Sequence, residues 1–129
     1  MSQIHQEVTF AASPSEVYSA LLDSDKFAKF TGAPAKISSD EGGEFLCFGT
    51  FILGRNIQLV SDKLIVQAWR VFNWEEGVYS IVRFALSADG DGAKLVLDQS
   101  GVPEDMFEHV DKGWDTKYWE PLRKFLAEK

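Results

Sequence analysis

Hydrophobic and polar positions alternate along this chain in three regimes, and each predicts a different kind of element. Ile4, Val8 and Phe10 stand among polar neighbours, a loose alternation that predicts a first strand from Ile4 to Phe10. Ser13-Pro14-Ser15-Glu16 then sets a hydroxyl before a proline, with a glutamate three residues after the hydroxyl. This is a capping box, in which two orphan backbone N–H groups are satisfied reciprocally, and it starts a helix at Pro14. Val17, Leu21, Phe27 and Phe30 recur at roughly helical spacing, Asp23-Ser24-Asp25 breaks and re-caps the run, and Thr31-Gly32 ends the second of two short helices.

From Ala35 to Gly101 the period becomes two. Turn residues at Asp40-Glu41-Gly42-Gly43, Gly49, Gly54, Ser61-Asp62-Lys63, Asn73 to Gly77 and Asp89-Gly90-Asp91-Gly92 punctuate it. Six strands fit between them, approximately Lys36–Ser38, Glu44–Phe48, Phe51–Val60, Leu64–Phe72, Tyr79–Leu86 and Lys94–Gly101. Links this short favour antiparallel hairpins, so the sheet reads as a meander. Gly49 and Gly54 are the positions where bulges would change which face a side chain takes.

After Val102-Pro103-Glu104 the period returns to 3.6, with Phe107, Val110, Trp114, Tyr118, Leu122 and Phe125 in one stripe. Glu108, Asp111, Lys112, Asp115 and Lys124 sit off it. Gly113 beside Trp114 is expected to let this long helix approach another backbone, and Pro121, which lacks a donor, to kink it near Lys117. The predicted fold is α+β: one domain over residues 1–129, with a curved antiparallel sheet of six or seven strands wrapped around the C-terminal helix.

Alternation also chooses the sheet face that meets the helix. Ser80, Val82, Phe84 and Leu86 form one set, Leu95, Leu97 and Gln99 another, and Ile65, Gln67 and Trp69 a third. Each inner row is apolar except for one uncharged polar residue: Gln67, Ser80 or Gln99. Two readings stay open. These groups converge in a cavity beneath Phe107, Val110, Trp114 and Tyr118 and orient a small hydrophobic ligand, or they bond neighbouring backbone or a trapped water. Arg55, Arg70 and Arg83 alternate with inner residues and read as surface charges, although a single arginine turned inward could fix an anionic or carbonyl ligand. Trp119, one residue after Tyr118, is expected to face another side of the helix from the stripe. Trp74 lies in a turn beside Glu75-Glu76-Gly77. For either tryptophan an exposed contact surface is open, as is cover by the N-terminal helices for Trp119.

Composition narrows the function classes. The 129 residues carry 20 acidic against 13 basic side chains, a net charge of −7 that would repel phosphate backbones, so nucleic acid is not an expected partner. No stretch has the length of apolar residues that a membrane span requires, and the first six residues lack a basic region followed by an apolar run. The one cysteine, Cys47, lies in an apolar strand and reads as a small core hydrophobe, in keeping with a reducing cytoplasm. His5 and His109 with Cys47 make no metal-ligand cluster, and the glycine-rich turns are acidic where a phosphate cradle should not be. No nucleophile–base pair can be nominated from spacing, so no cofactor, metal or catalytic residue is expected and the residues favour binding over chemistry.

Several segments carry a family resemblance. They are Ser13-Pro14-x-Glu16-Val17-Tyr18-x-Ala20-Leu21-Leu22, Phe30-Thr31-Gly32-x-Pro34-Ala35, Gly42-Gly43-x-Phe45, Ile52-x-Gly54 and Ile65-Val66-Gln67-x-Trp69-Arg70. Further along come Trp74-x-x-Gly77-x-Tyr79-Ser80, Gln99-x-Gly101-Val102-Pro103-Glu104 and Gly113-Trp114-x-x-x-Tyr118-Trp119-x-Pro121-Leu122. In this order they resemble the START-like (SRPBCC) family of activators of the heat-shock-protein-90 ATPase. The resemblance implies a helix-grip fold with a cavity under the last helix, and a chaperone of the heat-shock-protein-90 type as a partner. It also implies kinship with polyketide cyclases, which would make an enzyme. In the two-domain co-chaperones this domain follows an N-terminal domain that carries much of the chaperone contact, and that domain is absent from this sequence.

Overall fold

The computed structural model describes residues 3–127. Strand β1 (Gln3–Phe10) is followed by helices α1 (Pro14–Leu22) and α2 (Ser24–Thr31), then by β2 (Ala35–Ile37), β3 (Glu44–Cys47), β4 (Ile52–Val60), β5 (Leu64–Val71), β6 (Ser80–Asp89) and β7 (Gly92–Ser100). A 3₁₀ turn over Glu104–Met106 leads into the C-terminal helix. That helix runs as α3 (Phe107–Gly113), a π-helical segment (Trp114–Trp119) and α4 (Glu120–Ala127).

The capping box forms as its sequence dictates. Glu16 N–H donates to Ser13 Oγ at 3.2 Å, and Ser13 N–H donates to Glu16 Oε1 at 3.0 Å. Asp23 caps α2 by accepting from Lys26 N–H at 2.9 Å, and Gly32 ends it at φ 73°. Strands β2 to β7 are an antiparallel meander, and β1 crosses over to pair with β7, giving the order β1-β7-β6-β5-β4-β3-β2. The bulge in β4 falls at Ile57, where the register shifts between Asn56 and Gln58, and not at Gly54, which pairs in regular register. Gly54 serves another purpose: a Cβ there would lie 1.9 Å from the Ala68 carbonyl oxygen, so only glycine lets β4 and β5 approach.

The inner face is the predicted one. Ile65, Trp69, Val82, Phe84, Leu95 and Leu97 are buried beneath the C-terminal helix, together with Trp114, Tyr118 and Leu122 from the helix itself. Two expectations about that helix change. Pro121 is preceded by a change in the helix itself. With no N–H at Pro121 and its ring crowding the carbonyl four residues back, the preceding turn widens to i→i+5 bonding, as the Glu120 N–H to Asp115 carbonyl bond shows. The wider turn brings positions five apart onto one face. Trp119 therefore does not leave the stripe; it is buried and stacks on Trp114 with centroids 5.6 Å apart and planes 18° apart. Phe10 and Phe84 pack edge-on against it.

Gly113 is the second change. A Cβ there would meet nothing within 4 Å, so it serves no close backbone approach.

Candidate functional site

The C-terminal helix is pinned to the sheet by two glutamines. Gln99 on β7 accepts the Trp114 indole N–H at 2.8 Å, and Gln6 on β1 accepts that of Trp119 at 2.7 Å. Gln6 also donates from Nε2 to the Asp111 carbonyl and carboxylate, at 3.0 and 2.8 Å. Gln99 Nε2 in turn donates to Ser80 Oγ at 2.9 Å, and Ser80 Oγ to the Trp69 carbonyl at 2.8 Å. Of the three polar residues on the inner rows, the fold thus joins Ser80 and Gln99 in one chain ending on Trp114. Gln67 lies apart and donates to Asn56 Oδ1 at 3.2 Å, while Asn56 Nδ2 donates to the carbonyls of Ser38 and Asp40.

Space between sheet and helix is divided. A void of about 10 Å³ lies beside Gln67, Phe84, Cys47 and Tyr118, room for about one water. A groove of about 510 Å³ opens where the ends of β4 and β5 face the helix. That volume falls within the range of small-molecule sites. Phe48, Phe51, Ile52, Trp69 and Val71 form its sheet side; Val110, Gly113, Trp114 and Tyr118 form its helix side. Of the residues expected from the sequence, Trp69, Val110, Trp114 and Tyr118 line the groove. Val82, Leu97 and Gln99 are fully buried in the core, and Phe107 is half-buried against it.

The Trp69 indole borders the groove. Trp69 Nε1 is buried and lies by the Tyr118 hydroxyl without a well-formed hydrogen bond, and the ring stacks on Trp114 at 5.3 Å. Burial pushes the Tyr118 phenol well above its ordinary pKa, with Cys47 acting in the same direction and Trp69 in the opposite one. Burial likewise pushes the Cys47 thiol up to about 12, which leaves it protonated and unreactive at neutral pH. Phe48, which packs on Phe27 and Tyr118, sits at φ 55°, a conformation that side chains larger than glycine rarely take. The groove rim is a ring pair, Phe51 on Phe72, at 43% and 55% exposure.

Two surface readings are corrected. Arg70 points away from the helix, but it is only 8% exposed. Its guanidinium is folded under the loop after β5 and donates to the carbonyls of Trp74 at 2.7 Å, Glu75 at 3.1 Å and Phe72 at 3.4 Å. That loop turns Trp74 inward against Trp69, so Trp74 is buried and offers no contact surface. Arg55 and Arg83 are exposed as expected, and Arg55 pairs with Glu44 at 3.0 Å. Among the described residues the buried polar side chains are Asn56, Gln67, Arg70, Ser80 and Gln99, with no carboxylate or imidazole. No group of three or more His, Cys, Asp or Glu among them could hold a metal, and no helix is long and apolar enough to cross a membrane.

Sequence reasoning missed the sheet side of the groove, Phe48, Phe51, Ile52 and Val71, along with Asn56. The pair Trp114 and Trp119, five apart and followed by Pro121, was the signal for a widened turn.

A curved antiparallel sheet closed over a C-terminal helix, with two short helices at its edge, defines the helix-grip class. The chain belongs to the family described as activator of Hsp90 ATPase homolog 1-like protein, whose model matches residues 11–127. It is 37% identical over 106 residues to a protein of Dictyostelium discoideum described as an activator of 90 kDa heat shock protein ATPase homolog. That match covers 81% of this chain and 28% of the relative. The human activator of 90 kDa heat shock protein ATPase homolog 1 is 29% identical over 116 residues, which cover 90% of this chain and 34% of that one. The chain therefore spans about a third of the length of these curated relatives. The crystal structure of an HSP90 activator from Plasmodium falciparum superposes with a TM-score of 0.92 at 21% identity, covering 98% of this chain and 97% of that one. At that identity the likeness is one of fold.

Proposed function

We propose that this chain is an accessory domain of a heat-shock-protein-90-type chaperone, working in the cytoplasm by binding. The observation that carries this reading is the family match, which runs from residue 11 to 127. Support for binding over bond-making comes from the buried polar groups, which are neutral apart from Arg70 and spent on structural hydrogen bonds. The test is a pull-down and an ATPase assay with the purified chain and the chaperone of the same organism. Saturable binding with a rise in ATP turnover is expected; neither binding nor stimulation would sink the proposal.

A second reading has its own observation, an apolar groove of about 510 Å³ between the sheet and the C-terminal helix. The groove holds a small hydrophobic molecule, with Trp69, Val110, Trp114 and Tyr118 in contact and Gln99 fixing the Trp114 ring. Native mass spectrometry of the purified protein should show a bound species. A spectrum of bare protein alone, before and after incubation with apolar small molecules, would remove this reading.

A further inference from the structure

The groove has basic side chains and no acidic ones in its lining. The chain has a net charge of −7, yet no Asp or Glu lines this groove; its charged side chains are Lys112 and Lys117, with His109 beside them. Three other open depressions do carry acids. Glu44 lines one on the outer sheet face, together with Lys36 and Arg55; Asp23 and Asp25 line one beside α1; and Glu76 lines one under the loop after β5, together with Arg70. The acids on this stretch of helix, Glu108, Asp111 and Asp115, stay off the groove wall, and Asp111 is engaged by Gln6. Neither Lys112 nor Lys117 is held in an ion pair among the described residues.

The π-helical segment explains how two lysines five apart reach one wall. In an unbroken α-helix, residues 112 and 117 would point about 140° apart, since each residue advances the helix by about 100°. With i→i+5 bonding over Trp114–Trp119 the turn takes in an extra residue and their directions converge. Two unpaired cations therefore flank a wall that is aromatic or aliphatic apart from His109, Gly113 and Thr116.

We propose that this groove binds a small amphiphilic monoanion, its apolar body against Ile52, Val110 and Trp114 and its acid group at the mouth between Lys112 and Lys117. This rests on the small-molecule reading above and narrows it to a class. An acid head is drawn to the two ammonium groups, and the apolar body displaces water from the aromatic wall. A neutral molecule of the same length gains only the second term.

Decanoate and decan-1-ol, titrated separately into ¹⁵N-labelled protein, separate the two terms. Decanoate should bind at one molar equivalent about ten-fold more tightly than the alcohol, and it should move the indole N–H signals of Trp69 and Trp114. The double substitution Lys112→Gln, Lys117→Gln lies on exposed helix positions of similar helix propensity, and it should abolish the preference while leaving decan-1-ol affinity unchanged. Equal affinity for the two probes in the wild-type chain, or a preference that survives the double substitution, overturns the monoanion assignment. Failure of both probes to bind overturns the small-molecule reading itself.

Discussion

The Trp114 indole N–H donates to Gln99 Oε1 at 2.8 Å, and both side chains are almost wholly inaccessible to solvent. A buried donor and acceptor that satisfy each other fix one azimuth of the helix, because rotation would strand both. Gln99→Leu keeps most of the volume and removes the acceptor. It should destabilise the fold by about 1–3 kcal/mol, the cost of one stranded buried donor, as read from a urea unfolding curve. Adding Trp114→Phe should show coupling, the double mutant losing less than the sum of the singles.

Arg70 makes a different kind of anchor. Its planar fork reaches several carbonyls of one loop, which the compact ammonium of lysine cannot do. Arg70→Lys should therefore cost about 1.5–3 kcal/mol, despite retaining the charge. Amide hydrogen exchange of residues 72–78 should accelerate more than that of β6 or β7; uniform acceleration would contradict the anchoring role.

Gly113 occupies a helical position with no steric need for glycine. Gly113→Ala should stabilise the protein by about 1 kcal/mol through helix propensity, raising the melting temperature by about 4 °C. The added methyl group projects into open space at the groove wall, so the same variant should weaken decanoate binding.

On the outer face, exposed His5 bonds Asp98 through Nδ1 at 2.6 Å and Glu7 through Nε2 at 3.1 Å, and Lys94 joins Glu7 at 3.0 Å. The hydrogen bond to Asp98, then that to Glu7, raises the His5 pKa above its ordinary 6.5. A raised folded-state pKa contributes stability that is fully present below 6.5 and lost as pH rises through the folded value. An NMR titration should place the His5 midpoint above 6.5, and Asp98→Asn should lower it. Glu7 is held below its ordinary value, by Lys94 first and His5 second, so its share persists above that value and fades as pH falls through the lowered one.

Much of this architecture is legible in the amino acids because local signals agree with tertiary need. The Ser13–Glu16 box, the period-two rows on β5, β6 and β7 and the stripe on the C-terminal helix all describe interactions within an element or across one interface. The groove was less legible. Its sheet side is built from Phe48 at positive φ and from Phe51 at the end of a turn, where alternation has no phase to extrapolate. The helix wall depends on the widened turn, which moves Trp119 inward and Lys117 sideways relative to a 3.6-residue projection. Arg70 was misplaced because alternation gives a side chain's direction and says nothing about a loop folding back over it.

Strand β1 has one neighbour in the sheet, β7, and Gln3 pairs with Ser100. During synthesis the first strand, with Ile4, Val8 and Phe10 on its inner face, therefore waits for nearly the whole meander before it has an edge to join. The Trp119 that rests on Gln6 arrives later still. Strand β1 and the Trp119 turn close the same seam, so this seam joins segments about a hundred residues apart and carries a correspondingly large loop-closure entropy.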